Sequence, residues 1–234
     1  MEYMGHKLRH EKKYLINQKD YWILSNALKK LMKKDSFSDE NGCYHVRSLY
    51  FDDVYDSSLY EKNSGVFARQ KYRIRIYNLS DSSIKFECKL KYGEYISKES
   101  KNISKDNYYA IMDNNFAFLK EQEGVLSRFY IKNNSSIFRP KVIVDYEREA
   151  YTVATGDVRI TFDKELRAGF NSNDIFDPNL STVNVFEHSI IVLEVKYNNF
   201  IPSYIQSILN LSSYTRSAVS KYLLCRVLKN NIYQ

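Results

Sequence analysis

The sequence predicts an α+β fold in which antiparallel strands dominate and helices interrupt them. Three observations carry that expectation. The chain holds 21 Tyr and 13 Phe but only 7 Gly and 3 Pro, a bias toward strands and away from loop-rich or repeat architectures. Several separate stretches place large apolar side chains and charged ones on alternate positions. Others space their apolar residues three and four apart. At 234 residues, 44% hydrophobic and 27% charged, the chain is long enough for a sizeable core. It shows no low-complexity linker, no fixed-period repeat and no shift of composition, so a single domain over residues 1–234 is expected.

The elements follow in order. After a short segment carrying Arg9, Glu11 and Lys13, residues 17–34 space Tyr21, Leu24, Leu28, Leu31 and Met32 as an amphipathic helix, with Asn17 and Asp20 as its start signal. Residues 36–42 form a polar loop. Residues 45–51 read as a strand ended by Asp52 and Asp53, and residues 70–77 and 84–90 as a hairpin around the turn-like stretch 78–81. Residues 104–134 turn helical through Tyr108, Ile111, Met112, Phe116, Leu119, Leu126, Phe129 and Tyr130, with a break near Gly124. Strands return at 141–151, 157–163 and 189–197, and Ala218, Tyr222, Leu223 and Val227 mark a last helix over 213–229.

A net charge of +7 and a pI near 9.0 favour anionic partners: nucleic acid, phosphates or acidic membranes. Cys43, Cys88 and Cys225 are odd in number and far apart, which indicates neither a disulfide framework nor a zinc site. No apolar run approaches the roughly 20 residues of a membrane helix, and residues 1–13 are too polar for a signal peptide. A cytoplasmic chain that does not itself insert into a membrane is the expectation.

The charges share faces. Side chains alternate across a strand, so Arg69, Lys71, Arg73 and Arg75 point one way and Tyr72, Ile74 and Ile76 the other. The next strand repeats this with Lys85, Glu87, Lys89 and Lys91 against Ile84, Phe86, Cys88 and Leu90. Glu11 shares a face with Lys13, Arg159 with Thr161 and Asp163, and Glu194 with Lys196. A solvated sheet face accounts for any one strand. It accounts poorly for all of them, because such faces mix signs and carry neutral polar residues, and like charges opposed on paired strands are destabilising. If the sheet closes into a barrel, the charged face becomes a basic lumen suited to phosphate chains. Arg148 breaks the phase, falling on the side of Val142, Val144 and Tyr146; either a bulge resets its strand or Arg148 lies on the apolar face.

Glu11, Glu87 and Glu194 each precede a lysine by two residues. A cross-strand ion pair explains each singly. Three repetitions point to a divalent cation, since Mg²⁺ and Mn²⁺ bind through one or two carboxylates plus substrate phosphates.

The segments Arg9-His-Glu-Lys-Lys13, Arg47-Ser-Leu-Tyr-Phe-Asp-Asp53, Arg69-Gln-Lys-Tyr-Arg-Ile-Arg-Ile-Tyr77, Phe86-Glu-Cys-Lys89, Asp145-Tyr-Glu-Arg-Glu-Ala-Tyr151, Leu193-Glu-Val-Lys196 and Ser220-Lys-Tyr222 resemble, in number, order and spacing, the VTC domain. That domain is the polyphosphate polymerase module of the triphosphate tunnel metalloenzyme (CYTH-like) superfamily. The resemblance runs from Arg9 to Tyr222. It implies an antiparallel β tunnel flanked by helices, with a basic lumen that binds a triphosphate and a divalent metal. Carried over to matching positions, it implies that Lys13, Arg73, Arg75, Lys89, Arg148, Arg159, Lys196 and Lys221 contact phosphate and act in catalysis. Glu194 then binds Mn²⁺ or Mg²⁺, Glu11 and Glu87 assist it, and Arg148 faces inward, which favours the bulge.

Two departures bear on activity. Triphosphatases of the superfamily begin with Glu-x-Glu-x-Lys, whereas this chain has Arg9-x-Glu11-x-Lys13; one carboxylate able to position metal or water is replaced by a cation, which favours the polymerase branch. The inositol-phosphate-sensing domain and membrane helices of the eukaryotic subunits are not in this sequence, so regulation and any coupling to transport, if they exist, must come from elsewhere, a membrane protein being one candidate partner. The expected activity is metal-dependent transfer of the γ-phosphoryl of ATP to inorganic polyphosphate. The rivals are a tunnel-fold triphosphatase, a non-catalytic polyphosphate-binding module and, from the basic Tyr-rich surface, a single-strand nucleic-acid binder. The last leaves the Glu-x-Lys repeats unexplained, and no nucleic-acid partner is expected. His6, His10, His45 and His188 lack metal-ligand spacing, and no Gly-rich phosphate loop occurs. Asp52 and Asp53 read as turn residues, Ser48 and Lys62 have no assigned role, and Ser217 and Lys221 would share a helix face.

Overall fold

Eight antiparallel strands close into a ring. In the computed structural model, which describes residues 2–3, 5–35, 37–38, 42–187 and 189–232, they are β1 (Arg9–Ile16), β2 (Cys43–Asp52), β3 (Ala68–Tyr77), β4 (Ser80–Tyr92), β5 (Tyr95–Ile103), β6 (Arg139–Val153), β7 (Val158–Gly169) and β8 (Ile191–Tyr197). They pair in the order β7-β8-β1-β5-β4-β3-β2-β6, and β6 pairs back onto β7, so the ring has no free edge. The β1–β5 seam is short, joining Arg9 to Ile96 and His10 to Tyr95. The predicted hairpin is β3–β4; Asn78 and Leu79 have φ of 50° and 54°, the left-handed pair that a tight two-residue turn requires. His188 and residues 36 and 39–41 of the expected polar loop lie outside the described residues.

Helices α1 (Gln18–Leu28), α2 (Ser57–Asn63), α3 (Lys105–Met112), α4 (Val125–Ser136), α5 (Ser203–Leu209) and α6 (Lys221–Ile232) flank or fill the ring. The outward apolar residues of β2 to β5, among them Tyr72, Ile74, Phe86 and Cys88, pack under α3 and α4 through Tyr108, Ile111 and Phe129. Those of β1, β7 and β8, including Ile160, Phe162 and Leu193, pack under α1 and α5. The fold class read from the sequence is the one observed.

A third apolar cluster lies inside the ring, where α6 sends Tyr222 and Cys225 against Tyr50, Val142, Val144 and Tyr146. This accounts for Arg148. Between Val142 and Glu149, β6 pairs with β2 without a shift, opposing Tyr50 to Val142, Ser48 to Val144 and Tyr44 to Arg148. Tyr50 and Arg148 both line the interior, so the whole row Val142, Val144, Tyr146, Arg148 faces inward. The expected bulge in this stretch of β6 is therefore corrected. The inner wall is apolar where α6 fills it and charged where the tunnel is open, and the irregularities of β6 and β7 lie elsewhere: Lys141 of β6 is extra between the pairs Tyr50–Val142 and Phe51–Pro140, and β7 shifts between Lys164 and Arg167, with Glu165 at φ 50°.

Three further expectations change. The first helix begins as predicted, Asn17 Oδ1 accepting the Asp20 amide at 2.9 Å, but ends at Leu28 because Lys33 and Lys34 pair with Thr152 and Tyr151 of β6. The last helix begins at Lys221, not Ser213. Residues 214–220 form an extended strap in which Arg216 bridges to Tyr14 and the Ser217 amide donates to the Lys13 carbonyl at 2.9 Å; Ser220 Oγ then accepts the Leu223 amide at 3.4 Å at the start of α6. Ser217 and Lys221 thus do not share a helix. Strand β5 and helices α2 and α5 were not foreseen. The 98–102 stretch of β5 is polar on both faces and gives no alternation, and α2 and α5 are each only seven residues long.

Candidate active site

The ring encloses a cavity of about 1030 Å³ lined by four times as many lysines and arginines as carboxylates. Lys13, Arg73, Arg75, Lys89, Arg148, Arg159, Lys196 and Lys221 all line it, as do Glu11 and Glu194. Glu87, fully buried, lies behind the wall rather than on it.

Strand register explains the clustering. β1 and β8 each carry Glu-x-Lys, and their antiparallel pairing opposes Glu194 to Lys13 and Lys196 to Glu11, a checkerboard of four charges. Glu194 is its centre. One carboxylate oxygen accepts from Lys221 at 2.7 Å and lies 3.1 Å from Lys13; the other is 3.0 Å from Lys196 and 3.9 Å from Arg148. Burial alone would raise the Glu194 carboxyl, but Lys13, Lys196 and Lys221 outweigh it and hold it well below the carboxylate range. Glu11 accepts from Lys89 at 2.5 and 2.8 Å and is likewise held ionised against burial, by Lys13 and Lys89.

The arginines are held rigidly. Arg148 forks onto Asp163, its partner in register across β6 and β7, at 2.6 and 2.7 Å, and Asp163 also pairs with Lys221 at 2.5 Å. Arg73 binds Glu87 through Nε and Nη2, both at 2.7 Å, and Tyr50 Oη through Nη1 at 2.8 Å. Arg75 donates to Ser48 Oγ at 2.9 Å and Tyr146 Oη at 3.1 Å, which gives Ser48 the role that sequence alone left unassigned. Arg159 pairs with Asp35 and donates to Tyr44 Oη at 2.9 Å. Glu87 also accepts from Lys98 at 2.6 Å.

Lys62, Arg69, Lys71, Lys91, Asp163 and the strap over 216–220 complete the wall or support it, and the predicted site omitted them. A signal existed for several: Arg69 and Lys71 share the phase of Arg73, Lys91 that of Lys89, and Asp163 that of Arg159. Lys71 and Lys89 carry the clearest electrostatic signature, each with its pKa pushed down to about 7 and burial the leading cause, Lys89 against the opposing carboxylate of Glu11. For Lys71, burial acts first, then Lys13, Arg69 and Lys62; its amine donates to Ser220 Oγ at 3.3 Å and lies 4.6 Å from the centre of the Tyr222 ring, and no carboxylate salt bridge to it occurs among the described residues. Lys62, Lys91 and Lys196 are shifted the same way, burial being the leading cause. Asp52 and Asp53 are structural: Asp52 accepts the Ser58 and Leu59 amides and Tyr222 Oη, and Asp53 accepts the Tyr55 and Ser57 amides.

The donor set suits a hard divalent cation only in a shared mode. Among the described residues no three His, Cys, Asp or Glu side chains converge as a metal cage. Glu194 and Glu11, bridged by Lys13 and Lys196, are two ionised carboxylates in one place. Mg²⁺ and Mn²⁺ are commonly bound by one or two carboxylates completed by substrate phosphates and water.

A closed β ring with a buried, cation-rich interior defines a tunnel protein for polyanions. The VTC domain profile matches residues 8–228, and the chain belongs to the VTC domain family. It is thereby a polyphosphate-related tunnel enzyme or binder. Among solved structures, a candidate adenylate cyclase from Bacillus halodurans shares the fold, with a TM-score of 0.52 at 12% identity over 93% of this chain and 96% of that one. A protein from Pyrococcus horikoshii has a TM-score of 0.46 at 14% identity, over 94% of this chain and 99% of its own. No protein of curated function matches the sequence. No helix among the described residues is long and apolar enough to cross a membrane.

Proposed function

We propose that the chain is a polyphosphate polymerase that transfers the γ-phosphoryl group of ATP to the end of a polyphosphate chain. The observation that carries this reading is the surplus of half-buried cations lining the cavity, above all Lys71, Lys62, Arg69 and Lys91, beyond what Glu11, Glu87, Asp163 and Glu194 neutralise. Such a surplus disfavours the empty protein and is relieved by a long polyanion. Arg9, which lines the cavity and donates to the Asp157 carbonyl at 2.7 Å, stands where a triphosphatase has a carboxylate, and this supports transfer over hydrolysis.

In this reading the triphosphate lies along the tunnel. Arg73, Arg75, Arg148 and Arg159 orient its oxygens through their remaining N–H groups, and Lys13, Lys89, Lys196 and Lys221 supply point charges. The bond from the γ-phosphorus to the β–γ bridging oxygen breaks, a bond to a terminal oxygen of the chain forms, and ADP leaves. The acceptor oxygen is already ionised, so no general base is needed. The transition state is loose, and stabilisation comes from positioned charge. Glu194, with Glu11, would hold Mn²⁺ or Mg²⁺, which would neutralise phosphate charge. The test is product analysis by chain length after incubation with ATP and either metal. A lengthening ladder with ADP supports the polymerase, free phosphate alone assigns a hydrolase, and tripolyphosphate binding without turnover assigns a binding module.

The lysines add a pH dependence. Lys71 titrates near 7 in the folded protein against 10.5 in the free side chain, so the folded chain holds fewer protons than the unfolded one between those values. A bound polyanion restores the proton. Affinity for long polyphosphate is therefore expected to fall about tenfold as pH rises through 7 to 8.5, with proton uptake on binding, because one pKa unit is a tenfold change. The ligand's own ionisation acts in the opposite sense. Calorimetry in two buffers of different ionisation enthalpy measures the uptake in the parent and in Lys71→Arg, which separates Lys71 from Lys89, also held near 7; no uptake at pH 8, or the same uptake in the variant, would refute the assignment of Lys71.

A further inference from the structure

Helix α1 and the turn that follows it carry a second basic surface, outside the ring and unrelated to the tunnel reaction. Its inner stripe, Tyr21, Leu24, Ser25 and Leu28, is buried. On the opposite side Trp22 is 54% and Ile23 59% exposed, and Leu31, in the turn that follows the helix, is 49% exposed. Lys19, Lys29 and Lys30 are exposed around them. Within the helix, at 100° per residue, Lys19, Trp22 and Ile23 fall within one sector; Lys29 and Lys30 follow in the turn after Leu28, and no carboxylate salt bridge to these three lysines occurs among the described residues.

We propose that this face docks on an anionic lipid membrane. Two independent features meet there, as interfacial helices require. Unpaired lysines complement anionic headgroups, and an exposed indole beside exposed aliphatic side chains gains from leaving water for the headgroup–acyl boundary. A free polyanion would satisfy the lysines but gain nothing from Ile23 and Leu31. The geometry permits docking with the tunnel open, because α1 covers the outer side of β7 and β8 through Phe162 and Leu193. Asp35, close after these lysines in sequence, pairs with Arg159 of the tunnel wall, so a docked α1 brings that part of the tunnel near the bilayer.

Trp22 is the only tryptophan of the chain and reports on its own face. The experiment uses the full chain with tripolyphosphate saturating the tunnel, and vesicles of phosphatidylcholine with or without about 30% phosphatidylglycerol. Expected are a blue shift of Trp22 emission and its quenching by brominated lipid on anionic vesicles only. The double variant Lys29→Glu, Lys30→Glu is expected to lower partitioning at least about tenfold, and Ile23→Ser to weaken it, both with unchanged turnover of ATP in solution. Emission unmoved by anionic vesicles, or partitioning equal in parent and double variant, would overturn the proposal. So would a Trp22 shift produced by long polyphosphate instead of lipid, or by concentration-dependent self-association.

Discussion

Glu194→Gln is expected to lower metal-dependent turnover at least about a hundredfold, a barrier increase of about 2.7 kcal/mol, while the barrel stays folded. The side chain keeps its shape and loses one charge, and that charge faces Lys13, Lys196, Lys221 and Arg148 at once. Removing one member of a buried ion pair commonly costs about 3–5 kcal/mol. Here Asp163 remains beside Arg148 and Lys221, so the melting temperature should fall and then recover when tripolyphosphate replaces the missing charge. Tripolyphosphate binding measured in chelator should be retained or tightened, because four cations lose a competitor. Turnover and binding thus move in opposite directions, which a merely destabilised protein would not show. Turnover within about threefold of the parent would remove Glu194 from the site.

Arg73→Ala should also lose activity by at least about a hundredfold, for a different reason. Arg73 sits directly across β3–β4 from Glu87 and is held by it and by Tyr50, so its position on the wall is fixed before substrate arrives. A group fixed in advance needs no reorganisation in the transition state. Truncation removes the cation and also leaves Glu87, fully buried, with Lys98 at 2.6 Å and Arg75 at 3.9 Å as its cationic partners. Arg73→Lys restores charge but not the fork onto Glu87 and Tyr50, and is expected to recover only part of the loss. Tripolyphosphate affinity should weaken in Arg73→Ala, the reverse of Glu194→Gln, so calorimetry of the two variants side by side separates a phosphate-binding cation from a metal-binding carboxylate. Equal affinity in both would undo the division of roles.

Much of this site was legible because strand periodicity is a simple code. Once Glu11-x-Lys13 and Glu194-x-Lys196 are read as in-phase charges on two strands, antiparallel pairing makes a checkerboard the natural outcome. The same code hid what depends on three-dimensional filling. Arg148 looked out of phase because the inner wall changes from charged to apolar along its length, and that change is set by α6 entering the ring from more than 70 residues downstream. The strap over 214–220 read as helix because Ala218 and Tyr222 keep helical spacing, but a bridge from Arg216 to Tyr14 and a serine at the helix start decide otherwise. Lys71 was visible as a lumen-phase lysine, and its lowered pKa depends first on burial in the closed ring and then on Lys13, brought to it from another strand, with Arg69 and Lys62. Alternation gives the direction of a side chain, while its surroundings come from the closed barrel.

The most direct measurement follows the fate of a labelled γ-phosphate. The protein is incubated with ATP labelled at that position and with Mn²⁺ or Mg²⁺, and the label is partitioned between free phosphate and chains longer than tripolyphosphate. The account predicts that most of the label enters lengthening chains, in step with ADP. Label appearing as free phosphate from the earliest times, with no chain formed, would contradict it.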